Sequence, residues 1–210
     1  EQAWACIKNV WASKWNERAF LSRQTAGIAH ENLFMAVLIQ EVVAADYSFV
    51  IHTTNPFSND SDELYAEVVP GLGETLVGNY PGRALGFTCK KSGGKPTLRA
   101  FPGKSLGLFG GGLIFRSDSN GEDLAGFAGA GLYDSYMLQQ PQKRVLDYTK
   151  TPLVVDDHFR SDLLEHIADI GLAIENLLAK PQDIEGAYTA GKYFVVQTRP
   201  QVGSESEQKP

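Results

Sequence analysis

The chain has 210 residues, of which 43% are hydrophobic and 21% charged, and a net charge of −6. That is enough ordinary globular sequence for one large domain or two small ones with a buried core. The acidic balance excludes a sequence-independent nucleic-acid binder, which needs a basic face, but not a nucleotide held by a few local cations.

Trp4, Ile7, Trp11 and Trp15 recur at three- and four-residue spacing, the mark of one helix face, and residues 1–20 suit helix. Residues 30–32 read as a polar turn. Residues 34–43 (FMAVLIQEVV) are apolar and β-branched, which predicts a buried strand. Residues 48–53 and 63–69 predict two more strands, separated by a stretch dense in turn formers at 55–62. A glycine-spaced turn at 71–74 should enter a helix or a phosphate-facing loop. Residues 84–89 and 97–101 suit a hairpin around the turn at 92–94. Gly110, Gly111 and Gly112 read as a loop, followed by a short strand over 113–116.

Phe159, Leu163, Ile167, Ile170, Ile174 and Leu177 mark a long amphipathic helix, capped by Asp156 or Asp157 and leaving at Lys180-Pro181. Residues 184–188 and 193–198 predict a hairpin turning at Ala190-Gly191. The tail from Gly203 on is polar and is expected to be disordered. Strands in the middle with helices at both ends predict an α+β or mixed α/β fold, not a regular βαβ array. No apolar run reaches membrane-spanning length. Cys6 and Cys89 build no zinc or redox motif, and a reducing compartment is the bland expectation. Glu1 is not an initiator methionine, so the chain reads as a fragment.

Four segments could carry chemistry. In residues 115–124 (FRSDSNGEDL) a strand ends in Arg116, followed by Ser117, Ser119 and a glycine. An arginine fork gives a phosphate two charge-assisted hydrogen bonds, and serines in a tight turn add donors. The plainer alternative is a turn anchored by an Arg116–Asp123 pair. In residues 184–186 and 195–200, side-chain alternation puts Gln197 and Arg199 on one face, with Glu185 projecting to it from the partner strand. A carboxylate beside an amide oxygen suits Mg²⁺ while leaving room for phosphate oxygens. The alternative is a Glu185–Arg199 surface pair of little value, although Val195 and Val196 suggest a deeply packed strand. Gln40, Glu41 and Val42, at the end of an apolar strand, could offer backbone groups to an adenine edge, Glu41 facing its amino group. Residues 71–78 (GLGETLVG) could approach phosphates, but they are neither a Walker loop nor GxGxxG. His30, His52, His158 and His166 show no metal spacing and are read as non-catalytic.

Taken together, residues 11–19 (WASKWNERA), 40–42 (QEV), 71–78 (GLGETLVG), 80–84 (YPGRA), 115–124 (FRSDSNGEDL), 128–135 (AGAGLYDS), 181–186 (PQDIEG) and 195–200 (VVQTRP) resemble the C-terminal ATP-binding region of the alpha-glucan, water dikinases. Pyruvate, phosphate dikinase and phosphoenolpyruvate synthase are the wider relatives. The resemblance covers residues 1 to about 202. It implies an ATP-grasp nucleotide-binding domain whose beginning lies upstream. It also implies a two-step reaction, in which ATP gives its β-phosphate to an enzyme histidine and its γ-phosphate to water. AMP leaves, and the phosphohistidine then phosphorylates a glucosyl residue of a starch-like glucan.

Carried over by motif, Arg116, Ser117 and Arg199 bind the triphosphate, with Arg116 and Arg199 acting in catalysis. Glu185 and Gln197 hold Mg²⁺, and Gln40, Glu41 and Val42 line the adenine site. The phosphohistidine segment and the starch-binding modules are expected upstream, so the chain alone is expected to be inactive. Gly110, Gly111 and Gly112 stand where bulkier residues are expected. ATP is the expected ligand, with alpha-glucan bound through other parts, no nucleic acid and no membrane; a homodimer is compatible. The implied setting is a plastid in a plant or green alga, and otherwise the cytoplasm. Two other readings remain: a dikinase of the same superfamily with a small acceptor such as pyruvate, and a non-catalytic nucleotide- or glucan-binding module.

Overall fold

A computed structural model describes residues 1–78, 80–121, 123–124, 127–128 and 131–201, the short pieces at 123–124 and 127–128 by their backbone alone. The expected tail at 203–210 lies outside them, as does the side chain of Asp123. The chain divides into two compact units: one from Glu1–Val42 and Gly111–Gln140, the other from Val43–Gly110 and the chain from Pro141 onward.

The first unit opens with α1 (Gln2–Ser13) and α2 (Glu17–Thr25), a 3₁₀ turn at His30–Asn32, and strand β1 (Met35–Val42). The helix expected over residues 1–20 breaks at Lys14-Trp15. Trp15 sits at that break with the cationic groups of Lys14 and Arg23 over its ring, at 5.1 and 5.4 Å. Arg23 is buried and donates to His30 Nδ1 at 3.1 Å. Arg18 pairs with Asp134, and Asn16 Nδ2 donates to the same carboxylate at 2.6 Å. Residues 11–19 therefore hold the first unit together. The tryptophan face itself stays open, for Trp4, Trp11 and Trp15 are all exposed, and Trp4 and Trp11 meet edge to face at 5.6 Å.

In the second unit, strands β2 (Tyr47–His52) and β3 (Glu63–Pro70) precede the four-residue helix α3 (Glu74–Val77), followed by β4 (Leu85–Lys90), β5 (Thr97–Ala100) and β6 (Leu106–Phe109). The chain returns to the first unit with β7 (Gly112–Ser119), β8 (Asp123–Leu124), β9 (Phe127–Ala128) and β10 (Tyr136–Met137). It ends in the second with β11 (Gln142–Val145), α4 (Pro152–Val155), α5 (Asp157–Leu178), β12 (Gln182–Thr189) and β13 (Lys192–Pro200). All strand pairs are antiparallel. A mixed α+β architecture is what the element order predicts.

The sheet of the first unit runs β1-β7-β10. Here β1 is an edge strand, not the buried strand expected at 34–43, and Phe34, Leu38 and Ile39 are exposed. Apolar composition set that expectation, but an edge strand has fewer neighbours to cover it. Strand β7 runs past Arg116 to Ser119, so Arg116 lies within the strand and not at its end. Pairing with Met35, Ala36 and Val37 holds Ser119, Asp118 and Ser117 extended despite their weak strand propensity. Gln40, Glu41 and Val42 are likewise ladder residues, opposite Ile114, Leu113 and Gly112. The strand reaches back to Gly112, one residue into the expected loop.

The sheet of the second unit runs β13-β12-β2-β3-β4-β5. Alternation along its strands sends Phe49, Ile51, Leu64, Ala66, Leu85, Phe87 and Ile184 into one core, where Leu163, Leu164 and Ile167 of α5 cover them. Asp156 caps α5, accepting from Phe159 N–H at 2.9 Å. Losing that cap in Asp156→Ala should cost about 1 kcal/mol, read by denaturant unfolding. Gly71 has φ +79, and a Cβ there would come within 2.2 Å of Leu108 O. Its turn tucks the chain against β6, where Leu72 N–H donates to Leu108 O at 2.8 Å. Strand β13 is an edge strand with Val195 exposed, which corrects the expectation of deep packing.

Candidate functional site

The opposite face of the six-stranded sheet carries the other half of the alternation, and it is polar. Glu185 on β12 lies directly across from Gln197 on β13, and Asp183 across from Arg199. A bulge between Glu185 and Gly186 re-aims the strand at that point. Gly186 is required there, since a Cβ would meet the Phe49 ring at 2.2 Å. Gly186→Ala should therefore cost about 1–3 kcal/mol of stability as Phe49 is forced aside. It should also weaken binding at Glu185; unchanged unfolding and ligand affinity would show that the bulge tolerates a side chain.

Glu185, Gln197 and Arg199 line one cavity of about 210 Å³, together with Val50, His52, Glu67, Leu76, Val77 and Asp183. That volume is below the roughly 300–1,000 Å³ of a pocket that encloses a whole organic ligand, so it suits a phosphate group with a cation. Arg199 is held by Asp183, Nη2 to Oδ2 at 3.4 Å, and not by Glu185 as the alternative reading had it. Among the described residues Glu185 makes no ion pair. Its charge acts instead on Glu74 of α3, whose carboxyl is pushed above the ordinary carboxylate range, first by burial and then by Glu185. A carboxylate whose ionisation is disfavoured by a neighbouring negative charge is an arrangement that a cation relieves.

Glu67 and Leu76 also line a second cavity of about 700 Å³, with Phe57, Tyr65, Arg83, Arg99 and Lys104 on its walls. None of those residues was singled out from the sequence as a site residue. His52, read from the sequence as non-catalytic, also lines the first cavity. Its Nδ1 lies 2.7 Å from Asp183 Oδ1, a contact that depends on the pairing of β2 with β12 and not on any local motif. The other three histidines stand outside this cavity; His30, for instance, stacks on Phe20 at 4.6 Å.

The remaining candidates lie in the first unit. Arg116 Nη1 donates to Gln40 Oε1 at 3.3 Å, joining two of them across the β1–β7 ladder. Ser117 is the next residue on β7, Glu41 is exposed, and Val42 ends β1. The structure thus forms two groups, Gln40 with Arg116 in one unit, and Glu185, Gln197 and Arg199 in the other.

Residues 1–82 match the family model described as pyruvate phosphate dikinase, AMP/ATP-binding domain. The chain is 59% identical over 204 residues to "Alpha-glucan water dikinase, chloroplastic" of Solanum tuberosum, spanning 96% of this chain and 14% of that protein. It is 60% identical over 204 residues to "Alpha-glucan water dikinase 1, chloroplastic" of Arabidopsis thaliana, spanning 96% of this chain and 15% of that protein. Over nearly all of its own length the chain is similar to a segment of the alpha-glucan water dikinases. A more distant relative is the probable phosphoenolpyruvate synthase of Pyrococcus horikoshii, 26% identical over 198 residues, with 92% of this chain and 21% of that protein covered. The chain spans about one-seventh of the length of the dikinases it matches at 59–60% identity.

Proposed function

We propose that the chain is the nucleotide-binding part of an alpha-glucan, water dikinase. ATP phosphorylates an enzyme histidine through its β-phosphate, the γ-phosphate passes to water, AMP leaves, and the phosphohistidine phosphorylates glucan. Residues 1–202 then form the C-terminal part of an ATP-grasp domain. The observation that carries the reading is the β12–β13 hairpin, which gathers Glu185, Gln197 and Arg199 on one polar sheet face.

The donor set fits Mg²⁺. Glu185 and Gln197 offer hard oxygens from directly opposed positions, and two protein oxygens leave coordination sites for phosphate. Bound there, Mg²⁺ neutralises charge on the phosphate oxygens. Arg199, oriented by Asp183, takes phosphate oxygens of the same group. Arg116 and Ser117 are assigned to triphosphate binding by their motif, and Gln40, Glu41 and Val42 to the adenine. The names of the plant relatives include "chloroplastic", which supports a plastid setting. Among the described residues no helix is long and apolar enough to cross a membrane.

The test follows each phosphate of ATP through the full-length protein with an alpha-glucan present. Label in the β position should appear first on the enzyme and then on glucan, while γ label appears as orthophosphate. Transfer of γ label to glucan would identify a simple kinase. ATP binding without any transfer would identify a non-catalytic module.

A further inference from the structure

We propose that His52 is the base that accepts a proton from the water molecule receiving the terminal phosphoryl group. The inference rests on the function proposed above and adds to it a residue and a step. His52 ends β2, directly across from Asp183 in the β2–β12 ladder. Its Nδ1 lies 2.7 Å from Asp183 Oδ1, and its ring lies nearly parallel to that of Tyr65, 19° between planes at 6.4 Å. An ionised carboxylate can only accept, so the Nδ1 proton points at Asp183 and the neutral ring keeps its lone pair on Nε2. Among the described residues no hydrogen bond engages Nε2. His52 lines the same 210 Å³ cavity as Glu185, Gln197 and Arg199.

A base oriented by a carboxylate beside the phosphate-binding groups is the arrangement that general-base catalysis needs. An orthophosphate acceptor is already an anion, whereas water must lose a proton to become an effective nucleophile. The relatives' names include a phosphate dikinase and a water dikinase. In the step proposed here, the water oxygen bonds to the γ-phosphorus as the bond to the β,γ-bridging oxygen breaks. That bond's electron pair stays on the β-phosphate oxygen, the water proton passes to Nε2, and orthophosphate leaves.

The other ionisable groups facing this end of the cavity are otherwise committed. Tyr65 donates to Glu67 at 2.8 Å, and burial, followed by that bond, pushes its hydroxyl above the ordinary range, so it stays protonated. Asp183 is shared by His52 and Arg199, and Glu185 is assigned to the metal.

His52→Asn in the full-length protein separates the roles, because the asparagine amide can still donate to Asp183 while Nε2 is gone. Release of orthophosphate from γ-labelled ATP in a single turnover should fall about a hundredfold, with equilibrium ATP binding nearly unchanged. His52→Ala, tested with added imidazole, provides a second variant, and partial recovery is expected. Unchanged release in His52→Asn, or a rate loss matched by an equal loss of ATP binding, would overturn the role. No orthophosphate release by the wild-type protein would instead overturn the dikinase reading itself, and this inference with it.

Discussion

With the proposed metal-holding role, Glu185→Gln should slow phosphorylation of the full-length protein from β-labelled ATP by about a hundred- to a thousandfold, the usual cost of removing a main electrostatic contact in phosphoryl transfer. The substitution keeps the side chain's size, so Gly186 and the bulge beside it are undisturbed. It removes the charge that a cation needs and that now raises Glu74. Glu74 then becomes an internal reporter. Its raised value means that its ionisation costs the folded state stability above the ordinary carboxylate range. That cost is relieved as pH falls through its folded-state value. Removing the Glu185 charge should move Glu74 down towards the ordinary value, as should Mg²⁺ bound at the same place. The measurements are the Mg²⁺ dependence of single-turnover labelling and the carboxyl titration of Glu74 by NMR. Labelling at the wild-type rate with unchanged Mg²⁺ dependence would remove Glu185 from the metal site. A lost rate with normal Mg²⁺ dependence would assign it to phosphate positioning alone.

Glu185 and Gln197 could be paired from the sequence because both signals involved are local. Side chains alternate along a strand, and Ala190-Gly191 sits where the chain must reverse, with φ of +48° and +77° in the structure. Helix α5 was legible for the same kind of reason: its apolar residues follow the helical period, and Asp156 stands at the cap position. What was not legible depends on pairing between distant segments. His52 meets Asp183 across 131 positions of sequence. The β6–β11 pair joins 106–109 to 142–145, with residues 111–140 of the first unit between its strands. Ser117, Asp118 and Ser119 looked like a turn because their own propensities favour one, and β1 overrides them. Hydrophobicity also misled in one direction. Leu38, Ile39, Val195 and the tryptophans of α1 are apolar but exposed, because apolar composition does not say whether a strand lies at an edge or which helix face is covered.

The correction to Arg116 sharpens what its replacement should do. As a residue within β7, it has its backbone fixed by the ladder with Leu38, and its guanidinium meets Gln40. It is thus oriented by a sheet and not by a turn, which lowers the cost of aiming it at a phosphate. With the proposed phosphate role, Arg116→Ala should slow β-phosphate transfer by about a hundred- to a thousandfold, since it would delete a preorganised positive charge where charge builds up. Arg116→Lys keeps the charge but loses the two-pronged fork. A charge-assisted hydrogen bond is worth roughly 1.5–3 kcal/mol, so the lysine variant should lose about ten- to a hundredfold if that bond acts in the transition state. Equilibrium ATP binding measured beside single-turnover labelling separates the alternatives. A large rate loss with modest loss of binding assigns Arg116 to the transition state. Equal losses in both assign it to ground-state binding only. If neither changes while unfolding shifts to lower denaturant, the Arg116–Gln40 contact is structural and the phosphate role is wrong.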